Sequence, residues 1–447
     1  MMYLRETFQV ELPVRYIFEQ QTIEGLSQII DKLHQKDTAV LDTVVNPKAE
    51  AVLDPNIYPQ GILAQDITQP NHIFLTGATG FLGAFLIHEL LQQTQAKIYC
   101  LVRAKNETEG FKRLQKTLEK YLIWDASQSS RIIPIPGDLA LPRFGVSVEQ
   151  FEKLAQQIDV IYHSGAQVNF AKPYSVIKAA NVLGTQEVLR LACQHQLKPV
   201  HYISTMAVFG AMASINGLNV LYEDDDIDQS EPYLSQEIGY TQSKWVAEKL
   251  VWIAKSRGIP VTVIRSGFLM GHPQTGVTNT DDFISRLIVG CIQVGSFPEL
   301  INQKQDLITV DYASKAIVQI SQKKESLGKA FHIVPLASEN IDLIKLFELI
   351  SACGYQLQKV PYSQWTDNLI NQAQYSQSNP LFALLPMFTE KVNPEQAAWE
   401  LYQNTADLDC CNTLNAIANT SIKCPSMDAE LIGKYLDYFQ RSGFLSM

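Results

Sequence analysis

A chain of 447 residues exceeds one ordinary hydrophobic core, so two or three packing units are expected. With 46% hydrophobic and 18% charged residues it has the composition of a soluble globular protein, and a net charge of -10 excludes the basic face that nucleic acid requires. The seven cysteines are scattered without zinc or redox spacing, which points to reduced thiols in a cytoplasmic enzyme without a metal; no uninterrupted apolar run requires a membrane, and the N-terminus mixes charges into its apolar residues.

Residues 1–36 read as helix, break, helix. Leu12-Pro13 interrupts the first segment, and Ile23, Leu26, Ile29, Ile30 and Leu33 recur at helical spacing in the second. A piece this short must dock on something or belong to a larger unit. Residues 37–70 carry Pro47, Pro55, Pro59, Gly61 and Pro70 without a sustained period, which predicts a linker or an extended arm across the next domain.

From His72 short apolar strands alternate with helices. The strands fall at 72–76, 97–102, 131–135, 159–162, 199–204, 260–265 and 330–334, with amphipathic stretches at 81–93, 108–123, 174–196 and 240–257. This alternation implies right-handed crossovers and an α/β fold, a Rossmann-type doubly wound parallel sheet over 71–334. Beyond 335 the pattern turns helical at 341–350, 363–373, 393–403 and 428–442. Residues 335–447, joined by 268–300, are expected to form a smaller, mainly helical C-terminal substrate lobe over the carboxyl edge of the sheet.

The first strand runs into Thr76-Gly77-Ala78-Thr79-Gly80-Phe81-Leu82-Gly83 and then an apolar helix. A glycine turn between strand and helix lets backbone approach a pyrophosphate, and the helix N-terminus stabilises the anion. Gly77, Thr79, Gly80, Phe81, Leu82 and Gly83 are therefore the candidate dinucleotide loop. An acidic residue ending the second strand would hold a ribose 2′-hydroxyl, but this chain has Leu101-Val102-Arg103-Ala104. Arg103 is placed to grip a 2′-phosphate, which selects NADPH. Arg113 on the following helix is either a second clamp or a solvated helix face. Asp138 and Leu139 close the third strand, where Asp138 is placed to accept from an adenine amino group. Ser164 and Gly165 close the fourth and leave room for the cofactor, while His163 before them reads as a packed, hydrogen-bonded histidine.

Gly239-Tyr240-Thr241-Gln242-Ser243-Lys244 opens a helix with tyrosine and lysine on one face. The ammonium is expected to favour tyrosinate and so lower the pKa of Tyr240, while Lys244 also reaches a cofactor ribose. Thr205 ends the fifth strand at the carboxyl edge, where its hydroxyl can polarise a substrate carbonyl beside the Tyr240 phenol. Thr205, Tyr240 and Lys244 are the candidate catalytic residues.

In their order, TGATGFLG, LVRA, GDL, HSGA, ST and YTQSK resemble an extended short-chain dehydrogenase/reductase. The LVRA ending, the DDFISRLIVGCIQVGSFP segment at 281–298 and VDY at 310–312 narrow the resemblance to the thioester reductase domains that end nonribosomal peptide synthetases and carboxylic acid reductases. The likeness covers His72 to the C-terminus. The stretch LRETFQVELPVRYIFEQQTIEGLSQII is similar to the last part of a peptidyl or acyl carrier domain, after the point where such a domain bears its phosphopantetheine serine. One departure is Arg265-Ser266-Gly267, where these reductases usually have Arg-Pro-Gly; losing that proline is expected to loosen the loop beside the nicotinamide.

The resemblance implies NADPH-dependent release of a thioester as an aldehyde, or onward to an alcohol. The partner it implies is a phosphopantetheinylated acyl or peptidyl carrier protein, upstream or in trans. A fatty acyl-CoA reductase and a nucleotide-sugar epimerase or dehydratase share the Gly77-to-Lys244 framework; a non-catalytic dinucleotide-binding docking or sensor module is the alternative of another class.

Overall fold

The computed structural model describes residues 4, 7–10, 12, 13, 15–20, 22–35, 45–63, 68–375 and 378–445. Its centre is a seven-stranded sheet of β1 (His72–Thr76), β2 (Lys97–Val102), β3 (Ile132–Pro136), β4 (Val160–His163), β5 (Val200–Thr205), β6 (Val261–Ser266) and β7 (Ala330–Ile333). Each lies within one residue of its expected position at the start. Every neighbouring pair is parallel, in the order β7-β6-β5-β4-β1-β2-β3.

Burial on both faces explains the nearly continuous apolar strands. Successive side chains alternate between two cores. Phe74, Tyr99, Ile161 and Tyr202 belong to the core that also takes in Trp245 and Leu250 of the helix Gly239–Ser256. Ile73, Leu75, Ile98 and Tyr162 face the opposite layer, where the helices Phe81–Gln93 and Val310–Ser321 contribute Phe85, Leu86 and Ile317. The expected helix over 174–196 is interrupted. It runs as an α-helix Tyr174–Lys178, a π-helical turn Ala179–Leu183 and an α-helix Gly184–Cys193.

A third core joins the helix Phe283–Val294 to the helices Leu343–Ala352, Tyr362–Tyr375 and Ala429–Arg441. This mainly helical lobe draws on both 268–300 and the chain beyond 335, with one stretch set apart. Ala406, Leu408 and Cys410 pack with one sheet core, and Ala416 and Ile417 with the other, so the chain returns to the sheet before its last helix. Asp407–Leu408 likewise pairs with Val220–Leu221, while Gln358–Val360 pairs with Ser296–Pro298 within the lobe. The helix expected at 393–403 reduces to a 3-10 turn, Ala398–Leu401.

At the N-terminal end, the helices Arg15–Glu19 and Ile23–His34 pack around Val10, Leu12, Tyr16, Ile29 and Ile30. Residues 1–3, 5, 6, 11, 14, 21 and 36 of this carrier-like piece, and residues 37–44 and 64–67 of the expected linker, lie outside the described residues. From 45 to 63 the chain is an arm laid on the sheet domain. Leu53 and Ile57 are buried in its core, and Glu50 pairs with Lys178 at 2.6 Å. Arg257 donates to the carbonyls of Asp54 at 2.6 Å, Ile57 at 2.8 Å and Leu53 at 2.9 Å. Among the described residues no helix is long and apolar enough to cross a membrane.

Removing the Arg257 guanidinium leaves three carbonyls without a charged donor. Arg257→Ala is expected to cost about 1.5–3 kcal/mol and to open residues 51–63 to protease. Limited proteolysis under native conditions measures this, and an unchanged cleavage pattern would remove the anchoring role.

Candidate active site

Because all seven strands are parallel, the loops that follow them share one edge. Strand order places them as a row: Asp138 and Leu139 after β3, Arg103 after β2, the glycine loop after β1, Ser164 and Gly165 after β4, and Thr205 at the end of β5. The order reverses between β1 and β4, the place where open α/β sheets form a crevice.

The glycine loop is tightly constrained. Gly77 has φ +75°, and a β-carbon added there would lie 2.7 Å from the nitrogen of Gly165. A β-carbon on Gly83 would lie 2.0 Å from the Gly77 carbonyl oxygen, so the helix can seat on the loop only without a side chain at that position. Gly80 is the N-cap of the helix Phe81–Gln93 and supplies no side-chain cap, whereas Asn106, Ser147 and Asp282 cap their own helices. The first amide groups of this helix, around Thr79, Phe81 and Leu82, are thus left for an anion.

The neighbouring loop is tied to β1 by a chain of buried hydrogen bonds. Gly165 N donates to Thr76 Oγ1 at 2.9 Å, and Thr76 Oγ1 lies 2.7 Å from His163 Nδ1. His163 Nε2 meets Thr185 Oγ1 at 2.9 Å, which donates to the Asn181 carbonyl at 2.7 Å. A neutral imidazole protonated on Nε2 satisfies every link. Burial, with the Lys244 charge second, pulls His163 down to about 3 and keeps it neutral.

Arg103 is exposed at the end of β2, and Arg113 Nη1 donates to its carbonyl at 2.7 Å. Arg113 is therefore more than a solvated face, since it fixes the turn carrying Arg103. Asp138 Oδ1 accepts from Ala140 N at 2.9 Å, so one carboxylate oxygen already serves its own turn. Leu139 packs against the next loop: a β-carbon on Gly165 would lie 3.0 Å from its Cδ2.

Tyr240, in the first turn of the helix Gly239–Ser256, stands beside Thr205 at the end of β5, close enough for the threonine hydroxyl to act on the phenol. Lys244, one turn on, is buried; its Nζ donates to the Ile203 carbonyl at 2.8 Å and stands 4.2 Å from the centroid of the Tyr202 ring. The expected lowering of the Tyr240 pKa is not what this arrangement produces. Burial dominates and pushes the phenol up to about 12, with the Thr205 hydrogen bond opposing it. The same dry surroundings pull Lys244 down to about 7, against the attraction of Glu248. The lysine spends its charge on β5 rather than on the phenol.

Several contributors were not singled out from the sequence. Asn181, on the π-helical turn, donates to Ser243 Oγ at 2.9 Å and accepts from Gln167 N at 2.7 Å, pinning the tyrosine helix to the loop after β4. Glu237 accepts from Ala211 N at 2.8 Å and from the Tyr402 hydroxyl at 2.7 Å, joining the Thr205 loop to the C-terminal lobe. Burial pushes Glu237 up to about 7. Aromatic rings continue the edge into the lobe: Phe170 lies 6.4 Å from Tyr240 and 5.6 Å from Phe283, which is 5.8 Å from Trp399. Glu248 was legible as the next i+4 position after Lys244; the π-helical turn had no sequence signal.

Ser266 pairs with Thr205 and Ile333 on its two sides, its hydroxyl donates to the Gly267 carbonyl at 2.9 Å, and Gly267 N donates to the Ile333 carbonyl at 3.0 Å. Among the described residues no cluster of three or more His, Cys, Asp or Glu side chains could hold a metal ion.

A doubly wound sheet with this glycine loop and a Tyr-x-x-x-Lys helix beside the end of β5 defines an extended short-chain dehydrogenase/reductase, an oxidoreductase class. Comparison with known proteins is more particular. The NAD-binding family described as male sterility protein matches residues 75–317. A linear gramicidin synthase from Brevibacillus parabrevis is 39% identical over 448 residues, covering 99% of this chain and 8% of the synthase. The crystal structure of the terminal R domain from the myxalamid PKS-NRPS pathway is 40% identical with a TM-score of 0.81, covering 91% of this chain and 99% of that domain. A thiolation-reductase di-domain from an archaeal nonribosomal peptide synthetase shares the fold at a TM-score of 0.70 and 20% identity, covering 99% of this chain and 90% of the di-domain. The chain belongs to the male sterility NAD-binding family, among its thioester reductase (R) domains. It spans less than half the length of the curated relatives it matches first, 8%, 43% and 43%.

The close approach at Gly83 gives a direct check. Gly83→Ala is expected to cost about 1–3 kcal/mol and to weaken dinucleotide binding by displacing the Gly77 carbonyl. Thermal unfolding and fluorescence titration with NADPH measure the two effects, and a variant equal to the parent in both would remove the packing argument.

Proposed function

We propose that this domain reduces a thioester tethered to a phosphopantetheinylated carrier protein, using NADPH, and releases the acyl or peptidyl group as an aldehyde. The observation that carries the reading is the placement of Thr205 at the end of β5 and Tyr240 in the first turn of the helix packed on that strand, on the same edge as the uncapped glycine loop. The residues fit a dinucleotide on the geometry of the loops, where side chains at Gly77 and Gly83 would fill the space the backbone needs. From the end of β2 to the end of β5 is three strand spacings, about 14 Å, which an extended dinucleotide can bridge. Gly77, Thr79, Gly80, Phe81, Leu82 and Gly83 would cradle its pyrophosphate. Arg103, steadied by Arg113, would hold the 2′-phosphate; Asp138 and Leu139 would flank the adenine, and Ser164 and Gly165 the central riboses.

A reduced nicotinamide bound there supplies the hydride. Thr205 and Tyr240 direct their hydroxyls at the thioester oxygen and stabilise the developing oxyanion. The high pKa of Tyr240 suits a proton donor: the phenol stays protonated and passes its proton to that oxygen. Lys244, held by the Ile203 carbonyl one turn along the helix from Tyr240, would reach the nicotinamide ribose. The thiohemiacetal so formed collapses to aldehyde and carrier thiol, and a second reduction to alcohol is open to the same residues. The carrier-like piece at 1–36 supports a phosphopantetheinylated carrier protein as the donor, upstream or in trans. A cytoplasmic location accords with these reactants.

Two substitutions test this reading. Tyr240→Phe should bind NADPH as the parent does while turnover of a carrier-bound acyl thioester falls about 100-fold or more. Undiminished turnover would end the assignment. Arg103→Glu should raise the KM for NADPH roughly 10- to 100-fold with little change for NADH; equal effects on both would remove the 2′-phosphate contact. NADPH consumption with carrier-bound acyl thioester, acyl-CoA and nucleotide sugar separates the substrate classes.

A further inference from the structure

The loop that carries Thr205 is clamped by a carboxylate to which the reaction above gives no part. Thr205 Oγ1 accepts from Ala207 N at 3.2 Å and so caps the 3-10 turn Met206–Phe209. With one lone pair held by its own turn, the hydroxyl keeps its proton to donate, and its aim depends on how that turn sits. The turn closes with Gly210 N donating to the Ala207 carbonyl at 2.9 Å, and Gly210 takes φ +52°. A β-carbon on Gly210 would lie 2.6 Å from Glu237 Oε1, so the chain reverses directly against that carboxylate. Ala211 N then donates to Glu237 Oε1 at 2.8 Å, while the Tyr402 hydroxyl donates to Oε2 at 2.7 Å. Glu237 precedes the tyrosine helix, and its carbonyl accepts at 3.1 Å from Nε2 of Gln242, which also donates to the Leu234 carbonyl at 2.9 Å. One buried residue thus touches the turn behind Thr205, the opening of the helix that bears Tyr240, and a hydroxyl of the lobe.

We infer that Glu237 is a positioning residue that holds the Thr205 hydroxyl opposite Tyr240, and that its bond to Tyr402 makes this alignment depend on the seated lobe. The inference rests on the reading of Thr205 and Tyr240 given above. A carboxylate suits the place because both groups that reach it, a backbone amide and a phenol, are donors, and it offers each an acceptor oxygen. Two hydroxyls aimed at one developing oxyanion act together only at a fixed separation, and a small misplacement costs rate. Folding does not hang on this carboxylate. Ser230 Oγ donates to the Val208 carbonyl at 2.8 Å, and Val208 and Phe209 are buried in the main core, so the turn stays seated when Glu237 is cut back. What Glu237 adds is the setting of Thr205 against Tyr240. It also adds the link to Tyr402, which follows the turn Ala398–Leu401 and its Trp399 in the lobe core.

A double-mutant cycle on kcat tests the inference. Glu237→Ala and Tyr402→Phe should each lower kcat for a carrier-bound acyl thioester about 10-fold, while the KM for NADPH stays within about twofold. Glu237→Gln should recover most of that loss, since its amide oxygen still accepts from Ala211 N and its amide nitrogen can donate to the Tyr402 oxygen. Placed on Thr205→Val, Glu237→Ala should bring no further fall, because the group it positions is gone; single-turnover measurement keeps the slow background readable. A merely structural role would lower the Tm and reduce kcat by the same factor with or without the Thr205 hydroxyl, which would overturn the inference, as would an unchanged kcat in Glu237→Ala. Should Glu237→Ala not fold, Tyr402→Phe carries the same cycle. Thr205→Val alone separates the two claims. If it turns over as the parent does, the catalytic reading of Thr205 has failed; if it is slow and Glu237→Ala slows it further, the role of Glu237 alone has failed.

Discussion

Seating the helix Gly239–Ser256 on β5 and β6 sets the terms for the whole carboxyl edge. That contact buries Trp245, Val246 and Leu250 in the main apolar core, and the same face carries Tyr240, Lys244 and Glu248 into dry surroundings. Ionised groups there are disfavoured unless matched. The phenol is kept protonated, the lysine is drawn toward neutrality, and the buried ion pair of Glu248 with Arg265 is wrapped in further hydrogen bonds. Polar chemistry at this edge is obtained by desolvation, and the strand register supplies the compensating partners.

The rest of the site follows from how closely the loops meet that helix. Gly77 and Gly165 pass each other without room for a side chain, and the Thr76–His163–Thr185 chain fixes their separation. Asn181 then links the loop after β4 to the tyrosine helix, and Glu237 links the Thr205 loop to Tyr402 of the lobe. The lobe thus reaches the site by hydrogen bonds on one side and by the Phe170–Phe283–Trp399 rings on the other. A movement of the lobe would be felt at Tyr240 through both.

Much of this was legible in the sequence because period and punctuation coincide in a parallel sheet. Seven apolar runs, a glycine turn after the first and Thr205 ending the fifth located the strands to within a residue and put the candidate residues on one edge. What escaped depended on distance in space. Nothing local distinguishes the π-helical turn at Ala179–Leu183 from the α-helix on either side, and its Asn181 matters only because Gln167 and Ser243 lie opposite. The place of residues 406–417 escaped for a related reason, since no local pattern shows that their apolar side chains complete cores assembled from distant strands. The tyrosine pKa went the other way because spacing places a lysine near a phenol but does not reveal that the ammonium faces Ile203 and Tyr202.

The arm over 45–63 has a geometric consequence for anything attached upstream. Because Arg257 clasps Leu53, Asp54 and Ile57, the chain runs along the domain surface before it enters the first strand. Farther upstream the helix Arg15–Glu19 packs on the helix Tyr174–Lys178, whose Lys178 also pairs with Glu50 of the arm. Arm and carrier-like piece thus share one seat on the sheet domain, so that shifting either of them disturbs the footing of the other.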